Sequence, residues 1–227
     1  MKLHLYVEDR NFKAYETLAR TWHTTNQGHC EVNSVKAVTL RLDRMRADMY
    51  KYVVRAQYEG FNCIVFVLDQ EATHDRLTLI GDIHAAFERL CSSLRDDCQL
   101  QAVKVGLVIA KSCLECWLLT DVQAVVHFAC RRGKIVNYSP AQAGDTERFS
   151  PNEAADKITQ ILREVSKRQG KHETKRIKYE KSAVADMIPY MDELPRAVNR
   201  NRSLAYYCEM VTCERSGCDY PQPDSEF

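Results

Sequence analysis

The sequence predicts an α/β protein: a three-layer, Rossmann-like domain with a mainly parallel sheet, followed by a helical C-terminal part. Two observations carry this. The runs Cys63-Ile64-Val65-Phe66-Val67-Leu68 and Val103-Lys104-Val105-Gly106-Leu107-Val108-Ile109-Ala110 are apolar with little alternation, as strands buried on both faces of a parallel sheet require. Segments of helical periodicity separate the strand candidates, and such alternation indicates βαβ units with helices on both faces.

The first strand is Leu3-His4-Leu5-Tyr6-Val7, stopped by Glu8-Asp9-Arg10. Phe12, Tyr15, Leu18, Ala19 and Trp22 then recur at helical spacing. A weaker strand is expected over 30–35, and a long helix over 40–57 with Leu42, Met45, Met49, Tyr52 and Val53 on its inner face, ended by Gly60. The strand that begins at Cys63 stops at Asp69; a helix over 78–94 leads to the strand from Val103, and another helix is expected over 113–130. Residues 131–150 lose periodicity and collect Gly133, Pro140 and Gly144, so they read as a loop or insertion. Ser150-Pro151-Asn152-Glu153 has the form of a capping box with proline in the first turn, opening a helix that runs to about Gln169. Helical stretches are expected over 183–191 and 203–211. The resulting organisation is an α/β domain over 1–130, a loop over 131–150, a helical part over 151–220 packing on the first domain, and a tail over 221–227.

With 227 residues, 45% of them hydrophobic, the chain can bury a sizeable core. No stretch of eighteen apolar residues occurs, and Glu8 and Asp9 interrupt the N-terminal run before it could form a signal-peptide core, which predicts a cytoplasmic protein with no membrane role. The 10 cysteines lie mostly in apolar runs, where they behave as small hydrophobes, and reduced thiols are expected. A net charge of +1 argues against a wholly basic nucleic-acid coat but allows a local basic face. The absence of a Gly-x-x-x-x-Gly-Lys-Ser/Thr loop and of a Gly-x-Ser-x-Gly elbow speaks against an ATPase or serine hydrolase.

Ligands of doubly wound sheets bind beyond the carboxyl ends of the strands, and here the residues in those places are acids. Glu8 follows the first strand, Asp69 and Glu71 the central one, and Glu115 lies beyond the next. Carboxylates meeting at one edge repel one another unless a cation neutralises them, and Mg²⁺ or Mn²⁺ accepts such oxygen ligands and serves phosphoryl chemistry. Glu8 is then the expected general base or acid, with Asp69, Glu71 and Glu115 as metal ligands. Against this, Glu8 has an alternative as a helix-start acid, and the acid pair as solvated surface.

Val7-Glu8 after the first strand and Val67-Leu68-Asp69-Gln70-Glu71 after a later one resemble the glutamate and acidic-pair motifs of TOPRIM domains. Glu115-Cys116-Trp117-Leu118-Leu119-Thr120-Asp121 resembles the Glu-x-Trp-Leu-Leu-x-Asp stretch of small stand-alone TOPRIM-like proteins of bacteria, and Tyr179-Glu180-Lys181 and Asn201-Arg202-Ser203-Leu204 resemble their tail. The chain departs from the usual Asp-x-Asp by carrying glutamate at position 71, whose longer arm would move an ion. The resemblance implies a metal-dependent endonuclease or nuclease subunit, related to the overcoming-lysogenisation-type nucleases, with a role in phage defence beside an ATPase partner. A non-catalytic docking partner with a degenerate site, or a small-molecule phosphotransfer enzyme, are the alternatives.

Lys175, Arg176, Lys178 and Lys181 of the basic segment 171–181 are the expected nucleic-acid contacts, to DNA rather than RNA, with a solvated basic loop as the bland alternative. Cys208, Cys213 and Cys218, with His172, form a weak zinc candidate, while Cys113-x-x-Cys116 and Trp117 read as core. His74 could reach the acid site, and Asp121 could cap a helix. An oligomer is compatible with all of this.

Overall fold

The computed structural model describes residues 1–26, 32–69, 74–111, 113–142, 144–171 and 174–213, with the side chains of 74–77 left aside. Four parallel strands, β1 (Lys2–Val7), β2 (Ser34–Thr39), β3 (Cys63–Asp69) and β4 (Lys104–Ala110), form one sheet in the order β2-β1-β3-β4. Helices α1 (Phe12–Thr25), α2 (Leu42–Tyr58) and α3 (His74–Asp96) connect them, as the alternation of periodicities predicts. The second strand lies at 34–39 rather than 30–35, because its two-residue alternation begins at Val35; residues 30 and 31 are outside the described set.

Strand parity builds the layers. Leu3, Leu5, Val7, Cys63, Val65 and Val67 face α1, whereas Tyr6, Ile64, Phe66 and Leu68 face α2 and α3. The face over α1 is completed by the C-terminal part: α4 (Leu114–Leu118), α5 (Val122–Cys130), α6 (Pro151–Arg168), α7 (Val184–Met187), α8 (Leu194–Ala197) and α9 (Arg202–Thr212) share its core. Because apolar residues from β1 through α9 belong to one cluster, the carboxyl edge of the sheet is walled by both halves of the chain.

Local chemistry explains several boundaries. Gly60 takes φ +85 where α2 ends, a conformation glycine adopts without strain. Ser150 and Glu153 form the expected reciprocal capping box at α6, with Pro151 in its first turn. The helix expected over 113–130 is broken: Asp121 leaves helical geometry, and its side chain accepts from Gln123 N–H to start α5. Gly106 lets Met210 of α9 approach β4, since a Cβ there would lie 3.0 Å from Met210 Sδ.

One expectation is corrected. Cys63 and Cys213 form a disulfide, so the cysteines are not uniformly reduced thiols. The bond ties the residue after α9 to the start of β3 across 150 positions of sequence. Apolar surroundings suit a buried half-cystine as well as a thiol, so composition could not distinguish them. Cys213 is thereby removed from the Cys208/Cys213/Cys218 zinc set, of which Cys218 and His172 lie outside the described residues. Among the described residues no helix is long and apolar enough to cross a membrane.

Candidate active site

In the order β2-β1-β3-β4 the chain moves outward from β1 in one direction and from β3 in the other, which makes the crevice beyond their carboxyl ends the topological switch point. Glu8 N–H donates to Val67 O at 2.9 Å, so the ladder between the two strands continues to their ends. The acids after β1 and at the end of β3 thus flank one opening. Asp69 has the parity of Val65 and Val67 and points to the α1 side, as does Asp9 after Val7. Glu8 has the parity of Tyr6, toward the opposite face.

Asp69 accepts a hydrogen bond from Tyr15 Oη at 2.9 Å through Oδ1. Its carboxyl is pushed up to about 6, chiefly by burial; Tyr15 opposes the rise, and the charges of Asp9 and Glu8 add to it while Lys181 counters. Tyr15 is itself held well above its ordinary value by burial and by Asp69, so it stays a neutral donor. Its place is fixed by Tyr207, whose hydroxyl donates to the Tyr15 carbonyl at 2.7 Å, and by the rings of Trp117 and Tyr207 with centroids 5.8 Å and 6.2 Å away. Trp117 is core, as expected, and its Nε1 donates to Ser203 Oγ at 3.0 Å.

Asp9 is bound on both oxygens. Oδ1 accepts from Asn11 N–H at 2.9 Å, and Oδ2 lies 2.9 Å from Lys181 Nζ. Asn11 Nδ2 also donates to the Lys181 carbonyl at 3.1 Å, clamping the backbone that carries the lysine. Burial lowers the Lys181 ammonium, but the hydrogen bond and charge of Asp9, with Glu115 and Asp69 behind it, leave its pKa raised. At the far wall, Tyr179 Oη donates to the buried Glu115 at 2.9 Å. Burial first, and then Glu115, raise the Tyr179 phenol far above its ordinary range. Beside Glu115, Cys113 and Cys116 bring their sulfurs to 3.3 Å, and the Cys116 contact together with burial pushes the Cys113 thiol up.

The structure brings Asp69, Glu115 and Lys181 to this crevice, places Glu8 at its rim, and adds Asp9, Asn11, Tyr15 and Tyr179. Glu71 lies outside the described residues, as does the side chain of His74. Lys181, expected on nucleic acid, is paired with Asp9. Lys175, Arg176 and Lys178 are exposed, on a segment whose backbone is held to α6 by Arg163 Nε donating to Ile177 O at 2.9 Å and by Tyr179 N–H donating to Thr159 Oγ1 at 3.1 Å. Asp121 is remote in role: its carboxylate caps α5 and accepts from Glu193 N–H at 3.2 Å. Asp9 was legible from strand parity, Tyr179 stood in the Tyr179-Glu180-Lys181 motif without a role assigned to it, and Tyr15 gave no signal apart from its place on the helical face.

The described residues do not fit the expected divalent ion by themselves. No three histidine, cysteine, aspartate or glutamate side chains among them converge as a metal-binding group. Asp69 and Glu115, the described members of the expected ligand set, each accept a tyrosine hydroxyl, and the cation beside Asp9 is Lys181. No protein-family profile, characterised protein or solved structure matches the chain.

Proposed function

We propose that the chain is a phosphodiester-cleaving nuclease, or the nuclease subunit of a larger assembly, acting in the crevice between β1 and β3. The observation that supports this best is the meeting of Asp9, Asp69 and Lys181: acids from two neighbouring parallel strands at the switch point, with an ammonium supplied by the basic segment. A polyanion lying along Lys175, Arg176 and Lys178 would reach the crevice at Lys181, where a phosphate can exchange for Asp9 as the partner of the ammonium. Asp69, once ionised, is suited to accept a proton from an attacking water or hydroxyl, oriented for it by Tyr15. Glu8 at the rim adds negative charge that contributes to the raised ionisation of Asp69, after burial and Asp9.

The TOPRIM likeness of the motifs brings Mg²⁺ or Mn²⁺ and an ATPase partner with it as parts of the same proposal. Since the described side chains do not assemble an ion site, none of these steps depends on one. The cytoplasmic reading belongs to the proposal too, and the Cys63–Cys213 disulfide counts against it, because such bonds are rare in reducing compartments. A second reading has its own observation: the Lys181–Asp9 and Tyr179–Glu115 contacts close the crevice with the chain's own groups, as suits a non-catalytic docking partner of an ATPase.

The test is cleavage of plasmid, linear duplex, single-stranded DNA and RNA by purified protein with Mg²⁺, with Mn²⁺ and with chelator, alongside Asp69→Asn and Lys181→Met. Cutting that both substitutions abolish supports the nuclease, and its dependence on added metal shows whether an ion enters the crevice. A folded wild type that binds nucleic acid or an ATPase but cuts under no condition overturns it in favour of docking.

A further inference from the structure

Cys113 and Cys116 stand where the crevice wall turns into α4. Their sulfurs are 3.3 Å apart, and neither is disulfide-bonded. Cys113 is half-buried and reachable from outside, whereas Cys116 is fully buried, with Sγ also donating to Phe149 O at 3.4 Å. The turn between them is already closed by Cys116 N–H donating to Cys113 O at 2.9 Å. A disulfide needs the sulfurs at about 2.05 Å, so closure asks for little more than a one-ångström approach.

We propose that Cys113 and Cys116 are a redox-active dithiol, distinct from the structural Cys63–Cys213 bond, that exchanges with low-molecular-weight disulfides of the glutathione class. The reachable Cys113 thiolate attacks one sulfur of the external disulfide, forms a mixed disulfide and releases one thiolate. The Cys116 thiolate then attacks the Cys113 sulfur, forms the internal bond and releases the second thiolate. The two protons given up by the cysteines end on the released thiols, so the pair is oxidised by two electrons and the external disulfide is reduced. Exposure dictates this order, since the buried sulfur can be reached only from its neighbour. Glu115 lies between the two on the same turn, so closure acts on the carboxylate that holds Tyr179. The proposal does not depend on the nuclease reading.

The experiment equilibrates the folded protein with reduced and oxidised glutathione at alkaline pH, above the range of an ordinary thiol because contact with Cys116 and burial push the Cys113 thiol up, then blocks remaining thiols and maps the tryptic peptide 112–131. In oxidising mixtures the wild-type peptide should be about 2 Da lighter and take up alkyl groups at neither Cys113 nor Cys116. Cys116→Ser should accumulate a glutathione mixed disulfide at Cys113, and Cys113→Ser should form neither product. Cys116→Ala is the second variant should the serine disturb the buried site, with circular dichroism confirming the fold of each. Alkylation of both thiols in fully oxidised glutathione, with the wild type native, overturns the proposal. Closure in the wild type without a trapped mixed disulfide in either Cys116 variant overturns the assigned order.

Discussion

Tyr15 on α1 donates its hydroxyl to Asp69 at the end of β3 across 2.9 Å, joining the first helix of the chain to the carboxyl edge of its central strand. The bond stabilises the charged form of a carboxylate that burial otherwise pushes up to about 6. Tyr15→Phe removes that donor and keeps the ring against Trp117 and Tyr207. The Asp69 ionisation should move further up, and the pH profile of cleavage, rising through about 6 in the wild type, should move alkaline with it. The measurement is kcat/KM between pH 5 and 9, and an unshifted profile would separate Asp69 from the rate-determining ionisation.

Lys181→Met should weaken nucleic-acid binding and reduce its dependence on salt by about one phosphate contact. The effect on stability should exceed that of an exposed surface pair, because the lysine is 54% exposed but Asp9 is only 11% exposed and its carboxylate would lose its cation. Lys178→Met, at an exposed position, should weaken binding without altering the Asp69 profile, whereas Lys181→Met should raise that profile, since the ammonium lowers Asp69. Fluorescence anisotropy at several salt concentrations, together with the pH profile, distinguishes the two lysines.

The layers of this fold were legible because parallel strands covered on both faces need continuous apolar runs, and Cys63 to Leu68 is one. Glu8 and Asp69 were legible as strand-end acids for the same reason: a charged side chain ends such a run. What pattern could not supply was the direction in which each acid points. The two-residue period turns Asp9, not Glu8, toward Asp69, and that consequence of register became visible once β1 and β3 were paired through Val7 and Val67. Lys181 and Tyr179 reach the crevice by tertiary packing of a segment with no periodicity of its own. The Cys63–Cys213 pairing, between residues 150 apart, left no mark in local sequence at all.

That disulfide should carry measurable stability. Cross-links of this kind typically contribute about 2–4 kcal/mol by restricting the unfolded chain. Cys91 is disulfide-bonded as well, so reductant acts on more than this bond; urea unfolding without reductant should therefore place the Cys63→Ala/Cys213→Ala double variant below the wild type by that amount. Since α9 carries Tyr207, which holds Tyr15, loss of the bond should also loosen the Asp69 contact; equal midpoints for the variant and the wild type would remove the structural role assigned to the bond.

His4 predicts how the fold answers acid. It is 2% exposed on β1, with both ring nitrogens unbonded, stacked on Tyr6 at 4.4 Å and edge-on to Phe61 at 4.8 Å. Burial, and after it the charge of Lys36, lowers its pKa from 6.5 to about 4, while Glu59 opposes and Arg55 adds to the lowering. The unfolded chain therefore takes up a proton at His4 before the folded one does, and stability falls as the pH drops below about 6.5, levelling off below about 4. The loss from this one group is at most about 3 kcal/mol at 1.36 kcal/mol per pKa unit. Over the same interval Asp69 acts in the opposite sense, since its raised pKa makes the folded chain bind a proton first, and the two contributions partly cancel in the wild type. His4→Phe keeps an aromatic ring beside Tyr6 and removes one side of that balance. Its stability should rise between pH 6.5 and 4 relative to wild type, by an amount that chemical unfolding at fixed pH reads directly, and a constant difference across the interval would show that His4 is protonated in the fold.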